Sequence, residues 1–203
     1  INYEAKNIDE YKDDTTSEFY GAFGYLTDIK LIKENNESTH LLKPKFLVKY
    51  SPGSMRKESS GSRLNPTSAF TLNRLDNINN FENGLSSTLG FDYKLNKENS
   101  EFDFSVAQII NEKENKKRHS KTSQDEKLSD MVGSASFSMN NKTRINYNFA
   151  LDQNYKDLNY NELGLNLDLN PIQINFDYLK EGKHIGEQEY FKTKIDFINK
   201  NNN

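Results

Sequence analysis

Cysteine is absent from this 203-residue chain, which excludes disulfide bonds and thiolate metal sites. Its three histidines, His40, His119 and His184, lie in unrelated polar stretches, which argues against a histidine metal cluster. No apolar run approaches the ~20 residues that a membrane-spanning helix needs. The net charge of only −3 gives no field typical of a nucleic-acid binder, so no nucleic-acid partner is expected.

Apolar residues are also scarce, at 33% of the chain, yet aromatic residues reach 12%. The 13 Phe and 11 Tyr are too many for a typical disordered chain, so we expect a folded protein. The sequence begins at Ile1 without Met or a signal-like apolar segment and ends in an Asn tract. We therefore expect an interior piece of a longer protein.

Strict alternation of apolar and polar residues is the main secondary-structure signal. From Arg144 to Leu151, the residues Ile145, Tyr147, Phe149 and Leu151 share one face, and Arg144, Asn146 and Asn148 lie on the other. The same pattern recurs along the chain, and no segment has a helical period. It predicts nine strands, at roughly 20–32, 41–50, 82–95, 101–111, 131–139, 143–152, 160–169, 172–180 and 189–198.

The connections between these strands alternate in length. Residues 96–100, 140–142 and 170–171 form short turns, whereas residues 51–81 and 112–130 form long polar loops. Short turns at one end and long loops at the other are typical of an outer-membrane barrel, with periplasmic turns and extracellular loops.

Strand length and charge placement favour a membrane barrel over a soluble sheet. Most predicted strands exceed the ~5–6 residues usual in soluble sheets. Within the alternating apolar runs, the apolar face carries no charged residue, and charges sit on the opposite faces. A soluble antiparallel sheet with one wet face also alternates, so that alternative stays open.

Several segments, in order, resemble the β-barrel of the LptD family, the lipopolysaccharide-assembly or organic solvent tolerance proteins. The first is Lys43-Pro44-Lys45-Phe46-Leu47-Val48-Lys49-Tyr50, followed by a long polar loop that contains Ser68-Ala69-Phe70-Thr71-Leu72-Asn73-Arg74-Leu75-Asp76. Phe102 to Ile109 and Leu128 to Gly133 follow. The resemblance covers roughly residues 41–198 and departs from the family at Ala107, where Gly is common.

The resemblance implies an all-β fold, with residues 1–203 as a partial antiparallel transmembrane β-barrel domain in the cell outer membrane. It also implies transport and insertion of lipopolysaccharide into the outer leaflet, without enzymatic activity or cofactor. The implied partners are lipopolysaccharide, an LptE-like plug lipoprotein, outer-membrane lipids and a periplasmic Lpt bridge reached through an N-terminal domain. Neither that domain nor the lateral gate of the family has a recognisable counterpart here.

No catalytic constellation is apparent, since the adjacent His119 and Ser120 lie in a charged loop. The candidate site is instead the inward face of the last four strands. Its charges either pair across strands in a solvated lumen or meet the phosphates and sugar hydroxyls of lipopolysaccharide. The candidate lumen-facing residues are Arg144, Asn146, Asn148, Asn166, Asp168, Asn175, Asp177, Lys192 and Lys194.

The two long loops carry separate expectations. Loop 51–81 contains semi-apolar residues and either folds into the barrel mouth or is a disordered surface loop. Loop 112–130 is more charged, and we expect it to be solvated and mobile. Two alternative functions stay open: another outer-membrane barrel, such as a porin with a constriction loop or a receptor, and a soluble all-β binding or adhesion module.

Overall fold

The computed structural model of the chain describes residues 2–8, 13–77, 79–182 and 186–197. His184 and the last residue of the ninth predicted strand, Ile198, lie outside the described residues. Strands dominate the described part, with 3-10 turns at Ser68–Phe70 and Ser120–Thr122. The strands are β1 (Asn2–Ala5), β2 (Asp14–Ser17), β3 (Phe23–Asp28), β4 (Leu31–Asn35), β5 (Ser38–Ser51), β6 (Gly84–Lys97), β7 (Ser100–Asn111), β8 (Met131–Met139), β9 (Thr143–Leu151), β10 (Leu158–Asp168), β11 (Ile172–Glu181) and β12 (Gln188–Phe197).

Strands β5 to β12 form an antiparallel meander in which each strand pairs with the next along the chain. Strands β3 and β4 both pair with the free edge of β5, and β1 and β2 form a separate hairpin. The all-β, antiparallel prediction is therefore confirmed. The ten-stranded sheet is open, with β12 at one edge and β3 with β4 at the other.

Eight of the nine predicted strands match β5 to β12 with small differences at their ends. The predicted strand 20–32 is divided into β3 and β4, although both keep one continuous register on β5, with Asp28 opposite Lys45 and Leu31 opposite Leu42. The break lies at Pro44, whose carbonyl accepts from the Ile29 N–H at 3.2 Å. Pro44 has no N–H to return, so the ladder loses a bond there. The β1–β2 hairpin was not predicted.

The strand registers place all of the predicted apolar faces on one side of the sheet. Phe102 lies opposite Phe137, Ile145 opposite Leu165, and Tyr178 opposite Phe191. We call this side the apolar face and the other the polar face. The apolar face is largely bare, and Phe23, Phe191 and Phe197 keep 76%, 67% and 71% of their surface exposed.

The apolar residues form a band that crosses the strands obliquely. On β10 to β12, one row across the sheet is wholly apolar, with Leu167, Ile174 and Ile195. Followed back through the registers, that row reaches Ser100, Lys97 and Ser38, which are polar. Averaged from β12 to β5, the middle of the apolar run shifts toward the long-loop end by about one residue per strand, with no shift across β10 to β12.

The long connections all leave from one end of the sheet, because antiparallel neighbours alternate direction. Residues 52–83 and 112–130 fold together over the polar face at that end, and we call them the cap. Leu64 and Ala69 of the cap pack against a row of polar-face side chains, and this forms the core: Ala107, Ile109, Val132, Ala150 and Tyr160.

The expectation of a solvated loop at 112–130 was wrong. Arg118, Thr122, Ser123, Gln124 and Asp125 are buried in it. The Glu58 N–H donates to the Lys117 carbonyl at 2.8 Å, and the Asn115 amide donates to Asn83 Oδ1 at 2.8 Å. These bonds join the two loops, so loop 52–83 is also an ordered element and not a disordered surface loop.

Candidate functional site

The polar face below the cap changes character across the sheet. On the β3–β7 side, opposite charges pair between strands: Lys43 with Asp28 at 3.1 Å, Lys45 with Asp92 at 3.0 Å, and Lys94 with Asp103 at 3.7 Å. On β8 the inward residues are Ser134, Ser136 and Ser138, which are small and neutral. On this half of the polar face, the charged side chains pair with those of neighbouring strands. The adjacent strand β8 contributes only short, neutral side chains to the polar face below the cap.

Eight of the nine candidate residues come together in one groove of about 750 Å³ on β9 to β12, near the short turns. We call it the lower groove. They converge because the registers align seven of them in two rows, with Arg144 opposite Asn166 and Asn175 opposite Lys194 in one row, and with Asp177 opposite Lys192 in the other. Asp168 lies in the next row, opposite Gln173. The eight are Arg144, Asn146, Asn166, Asp168, Asn175, Asp177, Lys192 and Lys194.

The lower groove has a surplus of cations. Its lining includes four cationic side chains, with Lys142 added to Arg144, Lys192 and Lys194, against the carboxylates of Asp168 and Asp177. Lys194 forms an ion pair with Asp196 at 2.8 Å. Within the described residues, Arg144 and Lys192 have no carboxylate within 4.0 Å. Two guanidinium or ammonium groups are thus available to an anionic ligand.

Amides supply the neutral part of the groove. The side-chain amide of Asn166 donates to Asn175 Oδ1 across the β10–β11 pair, and this leaves other donor and acceptor positions of both amides for a ligand. Amides and serine hydroxyls can both donate and accept, which suits the hydroxyl groups of a sugar. The mixture of amides and spare cations fits a phosphorylated saccharide.

Asn148 is the one candidate residue outside the lower groove. It lies two residues beyond Asn146 on β9 and lines a second cavity of about 730 Å³ under the cap, which we call the upper cavity. Its Nδ2 donates to Glu162 Oε2 at 3.0 Å, and the Tyr160 hydroxyl donates to the same oxygen at 2.7 Å. Residues 62–67 of the cap, which we call the loop tip, form the opposite wall.

A buried charge cluster holds the other end of the cap loop. Glu82 is fully buried and contacts three cations, Lys49, Arg74 and Arg118. Burial alone would raise the pKa of Glu82, but Arg74, Arg118 and Lys49 outweigh it and lower the pKa to about 2. Because Lys49 belongs to β5 and Arg118 to the second loop, this cluster joins both loops to the sheet.

Sequence reasoning missed this cluster and the loop tip. Lys49 and Arg74 appeared within segments that resemble the LptD family, and Glu82 appeared as the first residue of a predicted strand. Arg63 stands in a long polar loop without a spacing signal. The only available clue was the charge of Arg74 and Glu82 beside semi-apolar residues of the same loop. Their partners are distant in sequence, so no local pattern could identify them.

Within the described ranges, the structure contains no helix long and apolar enough to cross a membrane. In a comparison with protein families, the model described as "LptD: LPS transport system D" matches residues 6–201. In a comparison with curated proteins, no sequence matches this chain.

Proposed function

Because the chain belongs to the LptD family of LPS transport system D, we propose that it is a segment of an outer-membrane barrel that moves lipopolysaccharide along its polar face. Membership gives the chain a general role in lipopolysaccharide transport or assembly. The LptD family is not an enzyme family. The barrel, the orientation of its faces and the ligand contacts belong to the proposal.

The position of the cap is the observation that carries the proposal. In a soluble sheet with one wet face, the apolar face is the one that other elements cover. Here the cap covers part of the polar face, and Phe191, Ile195 and Phe197 lie bare on the apolar one. Lipid outside and water inside a barrel explain this inverted arrangement, and a soluble binding module does not.

The oblique apolar band supports the same geometry. A membrane slab cuts tilted strands at a height that shifts steadily from each strand to the next. With ~3.3 Å per residue and ~4.8 Å between strands, a shift of about one residue per strand corresponds to a tilt of about 35°. Outer-membrane barrels have strands tilted by ~35–45°.

The open edges require further strands. Backbone N–H and C=O groups at the edge of β12 and along β3 and β4 cannot stay unpaired in lipid, where each costs several kcal/mol. In the proposed barrel, strands outside this sheet pair with both edges. An LptE-like plug lipoprotein, a periplasmic Lpt bridge and outer-membrane lipids are the partners that go with such a barrel.

A porin is the alternative that the cap itself would allow. An inward-folded loop is the feature expected of a porin constriction, and loop 52–83 folds inward. The family match, which spans residues 6–201, favours lipopolysaccharide transport instead.

Within this proposal, the nine candidate residues form the path of the phosphorylated headgroup. Arg144 and Lys192 meet phosphates, since both lack a carboxylate partner within the described part of the chain. Asn146, Asn148, Asn166 and Asn175 meet sugar hydroxyls. Asp168, Asp177 and Lys194 keep the groove hydrated.

Photo-crosslinking in the full-length protein tests the proposal. A benzophenone amino acid at Asn166 should crosslink to lipopolysaccharide during transport, whereas the same group at Leu165 should crosslink to outer-membrane phospholipid or acyl chains. The two positions are adjacent on β10 and face opposite sides, so each controls for the other. Absence of lipopolysaccharide crosslinking at Asn166 would contradict the assigned path.

A further inference from the structure

The two attachments of loop 52–83 differ sharply in burial. At the cluster around Glu82, the side chains of Lys49, Arg74 and Glu82 are at most 1% exposed. At the loop tip, Arg63 forms an ion pair with Glu181 at 2.9 Å, and the Arg63 side chain is 29% exposed although that of Glu181 is only 4% exposed. Water reaches the Arg63 side of this pair but not the cluster around Glu82, so the tip is the attachment that opens more easily.

Arg63 also lies over the ring of Tyr160, with its guanidinium carbon 3.7 Å from the ring centroid. Its Nε atom is buried and, among the described residues, has no hydrogen-bond partner. The guanidinium therefore keeps a donor that an additional acceptor could use. Leu64 is a second anchor of the tip, because it is buried in the core beneath the cap. The Ser62 hydroxyl also donates to Asp76 Oδ1, which ties the tip to the rest of its own loop.

The loop tip closes the route that leads up from the lower groove. Asn146 lines the lower groove, and Asn148, two residues further along the same face of β9, lines the upper cavity. A ligand that follows β9 toward the long-loop end therefore meets Arg63 and Leu64 as the next wall. The neighbouring segment has its own attachment to the sheet, because the Thr88 hydroxyl donates to the Ala69 carbonyl at 3.0 Å. It is also joined to the tip, since the Ala69 N–H donates to the Asn65 carbonyl at 3.0 Å.

We propose that the loop tip is a flap over the upper cavity, closed by Arg63 on Glu181 and Tyr160, and opened when a phosphate group of the ligand replaces Glu181 as the partner of Arg63. This role rests on the proposed function for the identity of the ligand, but the closing contact itself does not. The cluster around Glu82 is the fixed base about which the tip moves.

Maleimide labelling of a cysteine at Leu64, in the full-length protein in detergent, measures opening. The reference is the labelling rate of the same Leu64 cysteine with Arg63 intact. Arg63→Gln should raise it by about threefold to fivefold, the factor that a partly exposed ion pair supplies to a local opening equilibrium. Arg63→Lys should raise it less, because the charge is retained. A cysteine at Ala69, which is fully buried next to the tip, should stay protected in every background.

Arg56→Gln is the matched control. Arg56 stands in the same loop, pairs with Glu18 at 2.8 Å and lies near the Tyr20 ring, so it has the same chemistry away from the tip. It should leave labelling at Leu64 unchanged. Equal labelling with Arg63 and with Gln at that position, or equal acceleration by Arg56→Gln, would overturn the flap.

Added ligand tests the trigger. Purified lipid A with its phosphates should accelerate labelling of the Leu64 cysteine, and dephosphorylated lipid A at the same concentration should not. If the two lipids act alike while Arg63→Gln still accelerates labelling, the closing contact stands and the phosphate trigger is wrong. If transport fails to use this face at all, the lipid response disappears but the response to Arg63→Gln remains.

Discussion

The carboxylate of Glu82 accepts a hydrogen bond from Arg74 Nε at 2.8 Å, and both side chains are fully removed from solvent. Lys49 and Arg118 contact the same carboxylate, so one anion compensates three buried cations. No ion pair elsewhere among the described residues is as completely buried as this cluster. The cap therefore depends strongly on Glu82.

Replacing that anion should loosen the cap. Glu82→Gln keeps the shape but removes the carboxylate that Lys49, Arg74 and Arg118 share, which should cost ~3–5 kcal/mol, the usual effect of removing one member of a buried ion pair. The measurement is denaturant unfolding of the full-length barrel, followed by protease sensitivity within residues 52–83. Glu114→Gln is the control, because Glu114 pairs with Lys116 at the surface, and it should change little. Equal effects of the two substitutions would argue against the cluster as the base of the cap.

The same carboxylate should make the cap sensitive to acid. The pKa of Glu82 is lowered to about 2 in the folded protein from an ordinary value of 4.5, so its stabilising effect is complete above 4.5. That effect is lost as the pH falls from there toward 2. The stability difference between the parent and Glu82→Gln should therefore shrink as the pH falls from 4.5 toward 2. A difference that grows as the pH falls would reverse the assigned sign.

Paired substitutions on β10 test the two faces. Leu165 pairs with Ile145 and Phe176 on the apolar face, so Leu165→Lys should cost ~2–4 kcal/mol near the membrane midplane, less if the side chain reaches the interface. Asn166→Lys enters the lower groove, where its cost should be well below ~1 kcal/mol. Folded protein in the outer membrane of cells that express the full-length chain gives the readout. The opposite ranking would mean a register shifted by one residue.

Surface labelling tests which end of the sheet faces the cell exterior. In the full-length protein on intact cells, a cysteine at Lys113 should react with an impermeant maleimide, and one at Asn141 in a short turn should not. Lys113 is exposed, whereas Ser123 of the same loop is buried and would give a false negative. Reaction at Asn141 alone would invert the topology.

The segment should not fold by itself into a stable membrane protein. Its sheet has two unpaired edges, and unpaired backbone groups in lipid cost several kcal/mol each. The isolated 203-residue chain should aggregate or stay unfolded in detergent. A monodisperse, β-rich and heat-modifiable monomer from this chain alone would contradict the open-edge argument.

The alternation of side chains was enough to find β5 to β12, because a strand places successive residues on opposite faces and a one-residue error exchanges them. The same rule assigns Arg144, Asn166 and Lys192 to one face, and the registers of β9 to β12 bring them into one groove. The alternation rule did not predict the break between β3 and β4. That break arises because Pro44 on the adjacent strand β5 lacks an N–H, and the sequence alone does not show which residue pairs with Pro44.

By itself, the sequence determined the antiparallel strands, the chemistry of their two faces and the lane of amides and cations on β9 to β12, because these follow from local periodicity. Tertiary structure alone decided that the two polar loops fold onto the polar face, that Glu82 gathers Lys49, Arg74 and Arg118, and that Arg63 reaches Glu181. Such contacts depend on where long loops close in space. The ion-pair partners of a buried charge are the residues that the fold brings near it, and no periodic pattern along the chain predicts which residues those are.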